Sequence, residues 1–302
     1  MPLPNFLIVG AAKSGTTALY HYLKEHPDIF MSPIKEPKFI TSNFLKFPSK
    51  GVGDEKEDRR IIRDWQSYKN LFYDVKNEKA IGEASVDNLY FYEKSIFYIK
   101  KYLGDPKIII GLRNPIERAF SAYLHLIRDE REYLTFEEAL EQEEQRISNN
   151  WRLIWHYKNV GFYYKQVKAY LDNFSNVKIY LYDDFKETPL AVVQDIFRFL
   201  EVDDSFIPKT IKMRFNVSGI PNNKFLHNFL MKPNTLKSIV RPFVKALIPK
   251  DMRMKIKIKL LQKNLKKPQM NPETKEYLKN LYKEDMLKLQ ELIKRDLSHW
   301  LE

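Results

Sequence analysis

Residues 6–17 read FLIVGAAKSGTT. The apolar run from Phe6 to Val9 stops at Gly10, and a short polar turn follows. The spacing of Ala18, Leu19, Tyr22 and Leu23 then predicts a helix from Thr16 or Thr17 through Leu23 towards Pro27. A strand, a glycine-bearing turn and a helix N-terminus together present backbone N–H groups and the positive end of a helix dipole to a phosphate. Gly10 and Gly15 keep the glycine spacing of G-x-x-x-x-G-K-[ST], the loop of nucleotide triphosphatases. Thr16, however, stands where that lysine belongs, and Lys13 comes two residues before the second glycine. The stretch predicts an anion cradle of another kind, built from Ala12, Lys13, Ser14, Gly15, Thr16 and Thr17.

Outward from this turn, residues 103–113 (LGDPKIIIGLR) carry the second strong strand signal. Its buried run, Ile108 to Ile110, ends at Gly111-Leu112-Arg113, and Pro115 is placed to open a helix through Ala119, Tyr123 and Leu126. Further helices are expected over 136–147, with charge on the outer face, and over 161–174, 190–200 and 272–297; an alternating strand covers 177–182. Residues 33–48 read as loop and short strand, and 50–60, glycine-bearing and highly charged, as an exposed excursion. Repeated passage from strand to helix predicts an α/β fold with a central, mostly parallel sheet flanked by helices. At 302 residues, without repeats or a low-complexity linker, the chain is expected to form one domain over 1–302.

Charge is unevenly placed. Residues 205–270 hold 16 of the 51 Lys and Arg but only one of the 39 acidic residues, Asp251, so the net +12 of the whole chain originates in this late segment. Such a segment points to a polyanionic or membrane-facing partner, or to a basic rim on a nucleotide site. No zinc-finger spacing or nucleic-acid recognition module accompanies it, so nucleic acid is not expected as a partner. Around 251–265, lysines surround Ile256, Ile258, Leu260, Leu261 and Leu265, a pattern suited to peripheral contact with an anionic membrane. No apolar run reaches transmembrane length, the first residues lack a signal-peptide pattern, and cysteine is absent. The expected location is cytoplasmic, with peripheral contact at the inner membrane as an extension. Neither a disulfide framework nor a thiolate metal site is available.

The turn at 10–17 also resembles the 5'-phosphosulfate loop of sulfotransferases that use 3'-phosphoadenosine 5'-phosphosulfate (PAPS). Residues 113–121, RNPIERAFS, resemble that family's 3'-phosphate motif. Weaker similarity continues through 35–39 (KEPKF), Gly82-Glu83, 161–164 and 214–219, and spans roughly residues 5–300. The chain is most similar to bacterial members related to the heparan sulfate and other carbohydrate enzymes. This resemblance implies a P-loop nucleotide-kinase-like fold, PAPS as donor, 3'-phosphoadenosine 5'-phosphate (PAP) as product, and no metal. It implies contacts from Arg113 and Ser121 to the 3'-phosphate, and from Ser218, Gly219 and Lys224 in a late loop closing over the nucleotide.

The same resemblance implies Glu36 as base towards an acceptor hydroxyl, Lys13 as the cation stabilising the departing phosphate, and Lys35 at the acceptor or leaving group. Tyr163 and Tyr164 are expected to shape the acceptor cleft. Ala84 replaces a lysine found in several heparan sulfate enzymes, which leaves Glu83 or Asp87 to contribute to acceptor binding, and the family's cysteine pair is absent. His21 and His26 fit capping or packing. His125, four residues beyond Ser121, fits a structural or a site role. The expected acceptor is a carbohydrate or glycolipid hydroxyl. A nucleotide-dependent phosphotransferase, and a noncatalytic polyanion- or membrane-binding module, are the alternatives.

Overall fold

The computed structural model describes residues 2–213, 219–223, 226, 227, 229, 252, 256, 259, 260, 263–266 and 268–302. Ser218, Lys224 and most of the basic stretch 251–265 lie outside the described residues. Five strands, β1 (Phe6–Gly10), β2 (Ile29–Met31), β3 (Ala80–Ala84), β4 (Lys107–Leu112) and β5 (Val177–Leu181), form a parallel sheet in the order β2-β3-β1-β4-β5. The principal helices are α1 (Thr16–Leu23), α2 (Tyr92–Leu103), α3 (Pro115–Arg128), α4 (Tyr163–Asn173), α5 (Tyr182–Glu187), α6 (Pro189–Phe199) and α7 (Pro272–Ile293). The observed architecture is therefore α/β, with a parallel sheet flanked by helices.

β1 lies mid-sheet and is apolar throughout because both its faces are covered. Alternation then assigns its residues to two cores. Leu7 and Val9 join Ile108 and Ile110 beneath α2, α3, α4 and α7, whereas Phe6 and Ile8 join Ile109 and Tyr180 against α1 and α6. Each fully buried aliphatic or aromatic side chain contributes about 1.5–3 kcal/mol relative to exposure. The fixed sheet ends β1 and β4 side by side, so the turn after Gly10 and the corner at Arg113 open on the same edge. Asn114 caps α3 by accepting from the Ile116 N–H at 2.9 Å, with Pro115 in the first turn.

Several segments depart from the sequence expectation. Residues 50–60 are not an exposed excursion: a short helix (Asp54–Asp58) is tied inward by its own acids. The Asp54 carboxylate is fully buried and accepts from the Gly51 N–H, the Arg152 N–H, Trp155 Nε1 and the Arg131 guanidinium, while Asp58 pairs with Arg152. The 136–147 stretch breaks at Gln142 into two short helices, Phe136–Glu141 and Glu143–Ser148. Part of its charge faces inward: buried Glu143 accepts from the Asn159 N–H at 2.7 Å, and buried Arg146 pairs with Glu132 at 2.6 Å.

α5 fills the interval between the expected strand at 177–182 and the expected helix at 190–200, and β2, β3 and α2 likewise stand where the sequence pattern predicts no element. The last helix stops at Ile293, four residues early. Lys294 adopts a left-handed conformation, and the Gln290 side chain accepts from the Leu297 N–H, which sends the chain into a buried turn at Leu297 and Trp300.

Candidate active site

A cleft of about 1350 Å³ opens along the sheet edge where β1 and β4 end. Its first wall is the turn after β1. The Ala11 N–H donates to the Gly111 carbonyl at 2.7 Å, and the Ser14 carbonyl accepts from the Tyr180 hydroxyl at 3.1 Å, so both ends of the turn are pinned. Lys13 and Gly15 have φ of 72° and 83°. Gly15 is required twice over, because a Cβ there would lie 3.0 Å from the Phe185 ring. A left-handed lysine is unfavourable and persists only where its surroundings impose it. α1 begins at Thr16 without a side-chain cap, which leaves its first N–H groups available towards the cleft.

Ala12, Lys13, Gly15, Thr16 and Thr17 line this wall. Ser14 does not: it is fully buried, and its hydroxyl has no hydrogen-bond partner. Arg113 and Ser121 face the same space from the β4–α3 corner and the second turn of α3. The Arg113 guanidinium sits 4.7 Å over the Tyr182 ring, donates to Glu117 at 2.7 Å and to the Lys13 carbonyl at 3.3 Å, and keeps a buried Nε without a partner. Burial, then the nearby Arg128 and Arg113 guanidinium groups, lower the Lys13 ammonium to about 7. No carboxylate among the described residues forms an ion pair with Lys13. The wall is thus over-supplied with cations and donors, a chemistry that an anion completes.

Across the cleft lies the loop after β2. The Glu36 N–H donates to the Ala84 carbonyl at 2.9 Å and the Lys38 N–H to the Ser85 hydroxyl at 3.1 Å, which holds Glu36 and Lys38 at φ of 60° and 55°. Lys35 and Lys38 reach the two Glu36 carboxylate oxygens at 2.6 and 3.3 Å. Burial works to raise the Glu36 pKa, but the two lysines overcome it and set it at about 2. Asp87 borders the cleft, accepting from Thr41 Oγ1 at 2.7 Å. Glu83 is sealed behind this wall on β3. Burial, opposed by the Ser85 hydroxyl and reinforced by Asp87 and Glu36, pushes its carboxyl up to about 8.

Three expected site residues, Tyr163, Tyr164 and Gly219, are off the cleft wall. Asp285 of α7 accepts from the N–H groups of both Tyr163 and Tyr164, fixing the first turn of α4 against the C-terminal helix. The Tyr163 side chain is completely buried in the core, Tyr164 packs on that core, and neither lines the cleft. Gly219 precedes a two-residue strand, β6 (Ile220–Pro221), which pairs with β7 (Leu265–Lys266) and runs beside α3; it too is off the cleft wall.

Tyr182, Phe185, Lys186 and Arg131 also line the cleft, as do residues 150–154 and part of the 46–61 segment, including Lys46, Asp54 and Arg60, and no local sequence pattern marks them. His125 does line it, hydrogen-bonded at Nδ1 by Arg128 at 2.8 Å; burial, then the positive charge of Lys13, keeps its imidazole neutral. The i, i+4 stripe Arg113, Glu117, Ser121, His125 was the legible signal for it. His26 is structural, with Nδ1 accepting from the Asp28 N–H and Nε2 meeting the Asp203 carbonyl. Among the described residues no group of His, Asp and Glu is gathered as a metal site.

A family model described as "Sulfotransferase family" matches residues 4–206, which include both walls of the cleft. The chain belongs to the sulfotransferase family. A crystal structure of a sulfotransferase from Alicyclobacillus acidocaldarius covers 100% of both chains at 36% identity, with a TM-score of 0.79. Mouse carbohydrate sulfotransferase 15 is 28% identical over 178 residues, 49% of this chain and 31% of its own length. Human bifunctional heparan sulfate N-deacetylase/N-sulfotransferase 2 is 34% identical over 134 residues, 41% of this chain and 13% of its own. The chain thus spans less than a third of either curated relative's length. No helix among its described residues is long and apolar enough to cross a membrane.

Proposed function

We propose that this sulfotransferase moves the sulfonate of PAPS onto the hydroxyl of a carbohydrate or glycolipid, releasing PAP. The observation that carries this reading is that one cleft joins an anion cradle to a carboxylate held between two lysines. On the cradle side, the uncapped start of α1, Lys13 and Thr16–Thr17 fit a 5'-phosphosulfate. The unsatisfied Arg113 Nε and the Ser121 hydroxyl fit a second phosphate at the 3' position. The cleft volume exceeds the roughly 300–1,000 Å³ of an ordinary small-ligand pocket, which leaves room for an acceptor beside the nucleotide. The order of the parallel strands and the turn after β1 support a nucleotide-kinase-like architecture, and we take 1–302 as one domain. Carbohydrate acceptors are favoured by the named activities of the curated relatives.

In this mechanism the acceptor oxygen attacks sulfur, the bond from sulfur to the bridging phosphate oxygen breaks, and the hydroxyl proton passes to Glu36. Lys13 meets the negative charge left on the phosphate. A carboxylate at about 2 is a weak base, so Lys35 and Lys38 must turn from Glu36 towards the sulfonate for its basicity to rise. Titration calorimetry with PAP and with ADP at one salt concentration tests the donor assignment. At least about tenfold tighter binding of PAP is expected from the added phosphate contacts; equal binding of the two nucleotides overturns it.

A further inference from the structure

The C-terminal turn reaches back onto the nucleotide side of the cleft. Arg295 pairs with Asp184 at 2.8 Å, and Trp300 Nε1–H donates to Asp183 Oδ2 at 2.8 Å, with His299 Nε2 3.4 Å from the same oxygen. The Trp300 carbonyl accepts from Asn114 Nδ2 at 3.1 Å. Each partner adjoins the cradle. Asp183 and Asp184 lie in the first turn of α5, whose Tyr182 ring supports the Arg113 guanidinium and whose Phe185 ring lies against Gly15. Asn114 follows Arg113 and caps α3.

α5 has six residues, too few to be a stable helix alone, so its place depends on what grips it. The Trp300 ring is anchored in the core at 1% exposure, which makes it a fixed point. Arg113 needs such support. Its contact to the Lys13 carbonyl is long, and its Glu117 partner is half-exposed, so the flat Tyr182 ring is what sets the plane of the guanidinium.

We propose that Trp300 and Asp183 are positioning residues for the nucleotide: the C-terminal turn staples the Arg113–Asn114 corner to α5 and so aims Arg113 at the 3'-phosphate. This rests on the donor-site assignment above. The test is calorimetric titration of PAP and ADP into the wild type, Trp300→Phe, Asp183→Ala and Asp183→Asn, with a thermal melt of each. Trp300→Phe keeps a buried ring but deletes the N–H donor, and Asp183→Ala deletes the acceptor. Both are expected to weaken PAP about five- to tenfold while ADP changes by less than about twofold. Asp183→Asn still offers an oxygen to Trp300 and is expected to restore the PAP preference. A wild type that prefers PAP, with variants whose PAP/ADP ratio is unchanged, overturns the staple alone. A parallel loss of both nucleotides with a lowered melting temperature also overturns it, because that marks general destabilisation. A wild type that binds PAP and ADP alike overturns the donor assignment, and the staple falls with it.

Discussion

With Lys13 assigned to the bound phosphate, nucleotide binding is expected to take up a proton. In the empty cleft its pKa is about 7, because burial and the Arg128 and Arg113 charges disfavour the ammonium. Asp129 opposes this too weakly to offset it, and a bound phosphate reverses the balance by adding a close opposite charge that favours the protonated form. At pH 8 the empty site is mostly neutral at Lys13 and the occupied site mostly charged, so binding takes up about 0.8–0.9 proton. The same linkage weakens PAP binding about fivefold for each pH unit between 7 and 9, since affinity falls where the free protein must first gain a proton. The nucleotide adds no slope of its own, because a phosphate monoester with its second pKa near about 6 is ionised across this window. Glu36, at about 2, is ionised throughout. Calorimetry at pH 8 in buffers of different ionisation enthalpy reads the uptake directly. Lys13→Arg, which stays charged, should abolish the uptake and flatten the pH profile. A wild type with no buffer dependence and a flat profile refutes the assignment of Lys13 to the anion.

Three further results are expected. Glu36→Gln should lower sulfonate transfer by about 10²- to 10⁴-fold while PAP affinity stays within a small factor, measured by turnover and calorimetry on the same sample; full turnover removes Glu36 as base. Asp54→Ala strands the Arg131 guanidinium and three N–H donors in a buried site and should cost about 3–5 kcal/mol in chemical denaturation; an unchanged midpoint contradicts the buried network. Glu83 has a folded pKa of about 8, above its unfolded value, so its stabilising protonated form is lost as pH rises to 8. The melting temperature of Glu83→Gln should therefore gain on the wild type from pH 5 to 8 and level off above, whereas a constant difference shows that Glu83 does not titrate there.

The parts of the fold legible in the sequence are those fixed by local pattern. β1 and β4 announce themselves because a mid-sheet parallel strand is apolar on both faces and ends where the turn glycines begin. β3 carries Gly82 and Glu83 inside a buried strand and so lacks that pattern. The glycine there answers to a neighbouring strand, since a Cβ would lie 2.1 Å from the Phe6 ring, and no local window contains that contact. The 50–60 segment fails for the same reason. Its charges look solvated until Arg131 and Arg152, more than seventy residues away, arrive to pair with them.

The site divides along the same line. Ala12 to Thr17, Arg113 and Ser121 belong to two short motifs, each a contiguous strand–turn–helix unit recognisable from its own residues, although Gly111, Tyr180 and Tyr182 pin the two units from outside them. Glu36 and the lysines that tune it, Lys35 and Lys38, are neighbours in sequence, but what places them is remote: Ala84 and Ser85 hold the Glu36 loop, and Thr41 donates to one oxygen of Asp87. Tyr163 and Tyr164 show the limit most clearly. Their aromatic character suited a cleft wall, yet direction is decided by Asp285, 122 residues from Tyr163, which captures both N–H groups and turns the start of α4 inward. A side chain's chemistry can be read from its identity, but the surface it serves is chosen by whichever distant partner satisfies its backbone.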